Sequence, residues 1–324
     1  MSSWQERERS SNWGDLWRRL GGLFQTRAFH VVFALAAVAL GTFLIYRSLS
    51  RYSLNELASA VAAVPPWRVA ASAACAAASY LCLTLFDYLG LRYAGKPLPY
   101  PKAALASFVS LSLGHTIGLA ALSSGAVRYR YYSRWGLDAG DVAKVIVFCG
   151  MSVGLGLSGL AGIALFLAPG VAQEMAGLSR GSTYGLALAC LAFPVAYVAL
   201  AAFWRAPLVV RGWSMEMPGV KLALAQVAVG ITNFVCVAAC LHNALASVAQ
   251  VDFASVTAAY VVANVATLVT HVPGGLGVIE TVVQHLLPGG DLVGPLLVFR
   301  FTYFLAPLAL GTLGLIASEA LLRR

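Results

Sequence analysis

The chain has 324 residues, of which 60% are hydrophobic and 11% charged, and its formal net charge is +9. Soluble domains carry about 25% charged residues, so this composition excludes a soluble enzyme: there is too little polar surface to cover a water-facing molecule. The basic excess does not point to nucleic acid, because the lysines and arginines sit at the ends of apolar runs, where they orient spans and meet lipid phosphates.

Residues 1–27 form a polar tail containing Arg7, Arg9, Arg18, Arg19 and Arg27. Trp13, Leu16, Trp17, Leu20 and Phe24 recur at helical spacing between them. That pattern fits a helix lying on an anionic leaflet, or else a loosely ordered basic tail. The apolar run 28–46 starts too late for a cleaved signal peptide and reads as a first span. Further apolar segments follow at 67–91, 103–122, 142–168, 182–204, 222–247, 253–270 with a short piece at 276–287, and 292–318. Most approach the ~20 residues that a membrane-crossing helix needs. None alternates as a barrel strand would, so the spans are predicted to be helical. Cys75, Cys82, Cys149, Cys190, Cys236 and Cys240 all lie inside these runs without a CxxC spacing and read as packing residues, not disulfides or metal ligands. Nucleotide, zinc-protease and serine-hydrolase motifs are absent, so neither enzymatic activity nor a cofactor is expected.

Loop charge discriminates between topologies. With a cytoplasmic tail and all eight long segments crossing, 11 lysines and arginines fall inside and 9 outside. If the third and seventh segments instead enter and return, the count becomes 16 inside and 4 outside, which obeys the positive-inside rule. The predicted fold is therefore an all-α integral membrane protein with six full transmembrane helices and two re-entrant helical hairpins. Both termini face the cytoplasm, the C-terminus being residues 319–324. The hairpin tips are placed at Gly114 and Gly118 and at Pro273, Gly274, Gly275 and Gly277, residues that let a chain turn inside a membrane. Both tips read His, two residues, Gly, Leu, with one extra Gly in the second. Residues 28–168 and 182–318 then repeat the order span, span, hairpin, span from opposite sides, an inverted repeat.

Several residues are candidates for chemistry. The run Ser123–Trp135 includes Arg128, Tyr129 and Arg130, and reads either as an anionic headgroup site or as a topogenic basic loop with an aromatic belt. Glu280 and Arg300 are charges deep in apolar sequence. They are predicted to face one cavity and pair, either lining a polar route or locking hairpin to span. Asp87 is placed at the cytoplasmic interface, with a cavity role as the alternative. His115 and His271 sit at the tips, to relay protons, bind headgroups or hydrogen-bond backbone.

The runs GHTIGLAALSSGAVRYRYYSRWGL (114–137), HVPGGLGVIE (271–280) and FRFTYFLAP (299–307) resemble the lysylphosphatidylglycerol synthase transmembrane family, over about residues 28–318. That family includes the flippase half of the multiple peptide resistance factors. The resemblance implies a bacterial inner-membrane lipid translocase moving anionic or aminoacylated phospholipid, with roles for Arg128, Arg130, Glu280 and Arg300. Synthase activity is not implied, because the chain carries no match to the cytosolic transferase domain of full-length resistance factors. Expected partners are phospholipids, with a homodimer and a lipid-modifying enzyme as further candidates. An accessory protein for such an enzyme and a small-solute transporter are the alternative functions.

Overall fold

A computed structural model describes residues 62–321 together with Ser53, Asn55, Ala58 and Ser59, apart from 118–119, 205–207, 211–212, 247–248, 271 and 288–291. The amphipathic tail, the first span at 28–46, Gly118 and His271 lie outside the described residues.

Helix α1 (Pro66–Tyr93) begins with a proline whose missing N–H would have had no partner in the first turn anyway. It stops at Gly95, whose φ of +73° lets the Lys96 N–H return to the Leu91 carbonyl at 3.0 Å. Helices α2 (Tyr100–Ile117) and α3 (Ala120–Arg134) follow. They pack antiparallel: Lys102, near the start of α2, lies 5.6 Å from the ring of Trp135, just past the end of α3. This is a helical hairpin, and it is larger than the sequence reading drew it. Gly114 stays inside α2 and is buried, and the return arm extends through the Arg–Tyr run that had been read as a loop.

Helix α4 (Ala139–Leu167) is opened by a reciprocal cap. The Asp141 N–H donates to Asp138 Oδ1 at 2.8 Å, and the Asp138 N–H to Asp141 Oδ2 at 3.3 Å. A short α5 (Pro169–Ala176) leads to α6 (Arg180–Phe203), capped by Ser179. A two-stranded hairpin, β1 (Leu208–Val210) against β2 (Trp213–Met215), is a small departure from the all-helical expectation. Helix α7 (Val220–Leu245) is followed by α8 (Phe253–Thr270). In the link between them, hydrogen bonds from the Ser255 side chain and backbone hold the Asp252 carboxyl below its usual range.

The chain then turns through a single 3-10 turn at Pro273–Gly275 into α9 (Val278–Leu286), which packs back on α8. Gly274, Gly275 and Gly277 have φ of +60°, +59° and +81°, conformations that only glycine adopts cheaply. The last rod comprises α10 (Val293–Arg300), a π-helical stretch Phe301–Leu305, and α11 (Ala306–Leu321).

Among the described residues, six helical rods are long and apolar enough to cross a membrane: α1, α4, α6, α7, α8 and the α10–α11 rod. Five of these are predicted spans, and α8 is the first arm of the second hairpin. Helices α1 and α7 form the central pair. Helix α4 meets α7 backbone to backbone, since a Cβ on Gly156 would lie 2.4 Å from the Gly230 carbonyl. The hairpins pack crosswise: α2 lies on α11, and α8 lies on α4. Gly311 grants α11 its closeness to α2, because a Cβ there would collide with Ser112.

Candidate functional site

The two hairpins converge where the last rod is broken. The end of α2 touches the Pro273–Gly275 turn, and both adjoin the stretch from Arg300 to Tyr303. Helix breaks of this kind leave backbone polar groups inside a membrane available to a ligand or a side chain. A π-stretch adds to that, since its i→i+5 bonding shifts the carbonyls out of α-helical register.

Arg300 is 5% exposed. Its Nη1 donates to the Gly274 carbonyl at 3.0 Å and its Nη2 to the Gly275 carbonyl at 2.9 Å. Nη2 also donates to Glu280 Oε2 at 2.7 Å, and Nε donates to Glu280 Oε1. Glu280 in turn accepts the Gly277 N–H at 2.9 Å, capping α9. The predicted Glu280–Arg300 meeting is thus present as an ion pair stapling the second turn to the last rod. Two fixed-φ glycines present their carbonyls to the guanidinium, which is why the turn needs them.

The first hairpin carries a deeper pair, which sequence reasoning did not join. Asp87 on α1 is fully buried within the protein, and Arg128 on α3 is 3% exposed. Arg128 Nε and Nη2 donate to the two carboxylate oxygens of Asp87, each at 2.7 Å, and Nη1 donates to Ser124 at 3.0 Å. Ser107 on α2 and Tyr132 on α3 also donate to Asp87 at 2.7 Å. The Cys149 thiol on α4 adds a fifth, weaker donor at 3.8 Å. An isolated charge costs several kcal/mol in apolar surroundings, and this carboxylate is satisfied by donors from both arms of the hairpin and from α4. The signal was legible: Ser124, Val127, Arg128, Tyr131 and Tyr132 recur at helical spacing, and all are buried.

Arg130 and Tyr129 are not brought to these pairs. Arg130 Nη2 lies 2.6 Å from Glu319 on α11, which also accepts from Arg134, while the Arg130 Nε is enclosed without a hydrogen-bond partner among the described residues. Tyr129 is exposed. His115, in the last turn of α2, packs against Tyr80 on α1 and stacks on Tyr303, with ring centroids 6.2 and 6.4 Å away. Its Nδ1 is enclosed and has no partner among the described residues. Tyr303 and Ser79 were not anticipated; Ser79 bridges Asn233 at 2.7 Å and Tyr303 at 3.3 Å, so the break is lined by hydroxyl and amide groups from α1 and α7. Among the described residues no His, Cys, Asp or Glu cluster could hold a metal ion, and the six cysteines are free thiols.

The family model for the lysylphosphatidylglycerol synthase TM region matches residues 34–311. An uncharacterized Synechocystis protein, slr0712, is 30% identical over 86% of this chain and 88% of its own length. The Escherichia coli inner membrane protein YbhN is 27% identical over 72% of this chain and 74% of its own. With most of its length covered by that model, and with helices suited to crossing a bilayer, the chain belongs to the lysylphosphatidylglycerol synthase transmembrane-region family and is a multi-span membrane protein.

Proposed function

We propose that the protein is a lipid translocase of the bacterial inner membrane, moving an anionic or aminoacylated phospholipid headgroup between leaflets while the acyl chains stay in the bilayer. In this reading the two hairpins are re-entrant, the halves form an inverted repeat and both termini face the cytoplasm. The observation that carries it is the meeting of the two hairpin tips at the π-broken rod, with Arg300, Glu280 and His115 gathered there. A charged headgroup cannot cross hydrocarbon unaided, and opposite charges held at a break replace its water shell. The phosphate suits Arg300 and an added amine suits Glu280. The crosswise packing of each hairpin on the opposite half supports the repeat, and the relationship to an inner membrane protein supports the location.

The test is transfer of headgroup-labelled phosphatidylglycerol in proteoliposomes. The parent is expected to equilibrate label between leaflets, and Glu280→Gln, which keeps shape and removes charge, is expected to slow it. A parent that moves no lipid, or a variant as fast as the parent, overturns the reading.

One observation favours a second reading, an accessory protein that does not transport. The Arg128 guanidinium is consumed by Asp87 and Ser124, and that of Arg300 by Glu280 and two carbonyls. Arginines so paired hold helices together without any lipid. In that case Glu280→Gln changes stability alone, and a lipid-modifying enzyme co-purifies with the chain.

A further inference from the structure

Among the described residues His115 is the one imidazole enclosed at the meeting of the tips, and the translocase reading leaves its nitrogen unused. We propose that His115 is a proton-binding site that couples proton uptake to separation of the two hairpin tips. The proposal rests on the translocase reading for what is moved, but its first test does not.

The argument is one of unmet hydrogen bonding. Nδ1 has no partner among the described residues, so the neutral ring fits this arrangement with its bonding incomplete. Taking up a proton turns both ring nitrogens into donors and adds a positive charge. The groups facing that charge give it no hydrogen-bond acceptor to replace the water it would have outside. The rings of Tyr80 on α1 and Tyr303 on the π-stretch attract a cation only weakly. The Arg128 guanidinium on α3 acts on the imidazole as a like charge, offset in part by the Asp87 carboxylate that it holds. On the far side of the second turn stand Arg300 and Glu280, the carboxylate already held by Arg300 and the Gly277 N–H. The Gly274 and Gly275 carbonyls are likewise held by Arg300. Among the described residues an imidazolium therefore finds acceptors only if the second turn shifts and releases a carbonyl or Glu280. The device has two states: tips together with His115 neutral, and tips apart with His115 charged. A proton gradient across the membrane then supplies direction, one proton bound at one face and released at the other for each cycle.

The first test reads tip separation by electron–electron distance measurement. Spin labels are placed at Leu105 on α2 and Thr281 on α9, both exposed, in a background with the six cysteines replaced. Between about pH 8 and about pH 4, a window that reaches below ordinary imidazole titration because enclosure opposes the charged ring, the parent distribution is expected to lengthen. In His115→Gln and His115→Asn it is expected to stay fixed. An unchanged parent distribution, or the same shift in a folded variant, overturns the proposal. The second test is the ratio of lipid transfer rates with and without an imposed pH gradient in proteoliposomes. The parent is expected to transfer lipid faster with the gradient than without it, and the variants are expected to show no dependence. A distance shift without any lipid transfer sinks the translocase reading and keeps the switch. Transfer that ignores the gradient sinks the switch and keeps the translocase.

Discussion

The first hairpin is anchored along its flank and the second at its tip. In the first, Arg128 on the return arm reaches across to Asp87 on α1, and both groups are shut away from solvent. In the second, the return arm is only nine residues long, and Arg300 on the last rod holds the turn itself. There the Glu280 side chain keeps 21% of its surface exposed. Flank anchoring ties two arms and a span into one block. Tip anchoring leaves the hairpin body free once one guanidinium lets go. The difference assigns the first hairpin the part of a strut and the second that of the moving element.

The sharpest way to break this contrast is Arg128→Met. It leaves the Asp87 carboxylate buried and unpaired, at an expected cost of about 3–5 kcal/mol. Thermal unfolding in detergent should show a large loss, and Asp87→Asn combined with Arg128→Met should recover part of it. A single variant as stable as the parent would remove the strut. Next comes Glu280→Gln, with an expected loss of about 1–3 kcal/mol, the penalty for unpairing one buried partner. It should be smaller because Arg300 keeps the Gly274 and Gly275 carbonyls. If Glu280→Gln proves the more damaging of the two, the assignment of roles is reversed.

Gly275→Ala sharpens the comparison at the second turn. Alanine at φ +59° costs about 1–2 kcal/mol, and its Cβ would sit 2.8 Å from Thr267 Oγ1. Faster hydrogen exchange confined to 272–286 is the expected signature; exchange raised equally in α2 and α3 would count against independent hairpins. The smallest effect is expected at the exit of the first hairpin. Asp138→Ala removes one half of the reciprocal cap on α4, a change of about 1 kcal/mol. It should lower the melting temperature slightly without altering exchange in the second hairpin.

Much of this architecture can be read from apolar run length alone. The predicted segments 67–91, 182–204 and 253–270 correspond to α1, α6 and α8 within two residues at each end. Burial by lipid and burial by protein both demand apolar side chains, so the runs mark helices but not what covers them. That is why α6, with only 11% of its most apolar window buried inside the protein, looks in sequence like α4, with 56%. The return arm α3 escapes an apolar-run reading because its buried face is built from Arg128, Tyr131 and Tyr132, which score as polar while Arg128 and Tyr132 bond Asp87 and Tyr131 bonds Ser318. The Glu280–Arg300 meeting was legible because two charges in apolar sequence need each other. Asp87–Arg128 obeys the same rule. It went unread because Arg128 had been placed in a loop, where a charge needs no partner.

The contact between Gly156 and Gly230 bears on which motions the molecule can make. Beside this bare-backbone contact Ile231 of α7 lies over Gly159 of α4, and Gln226 of α7 donates to the Phe148 carbonyl, so the two helices have little slack to take up. They can swivel about the point of contact, as scissor blades do about a rivet, but cannot draw apart without opening an empty seam along α4. If the protein moves lipid as proposed, swinging parts about this pivot is the motion that the contact permits, and a bulky residue at either glycine would prise the rivet out.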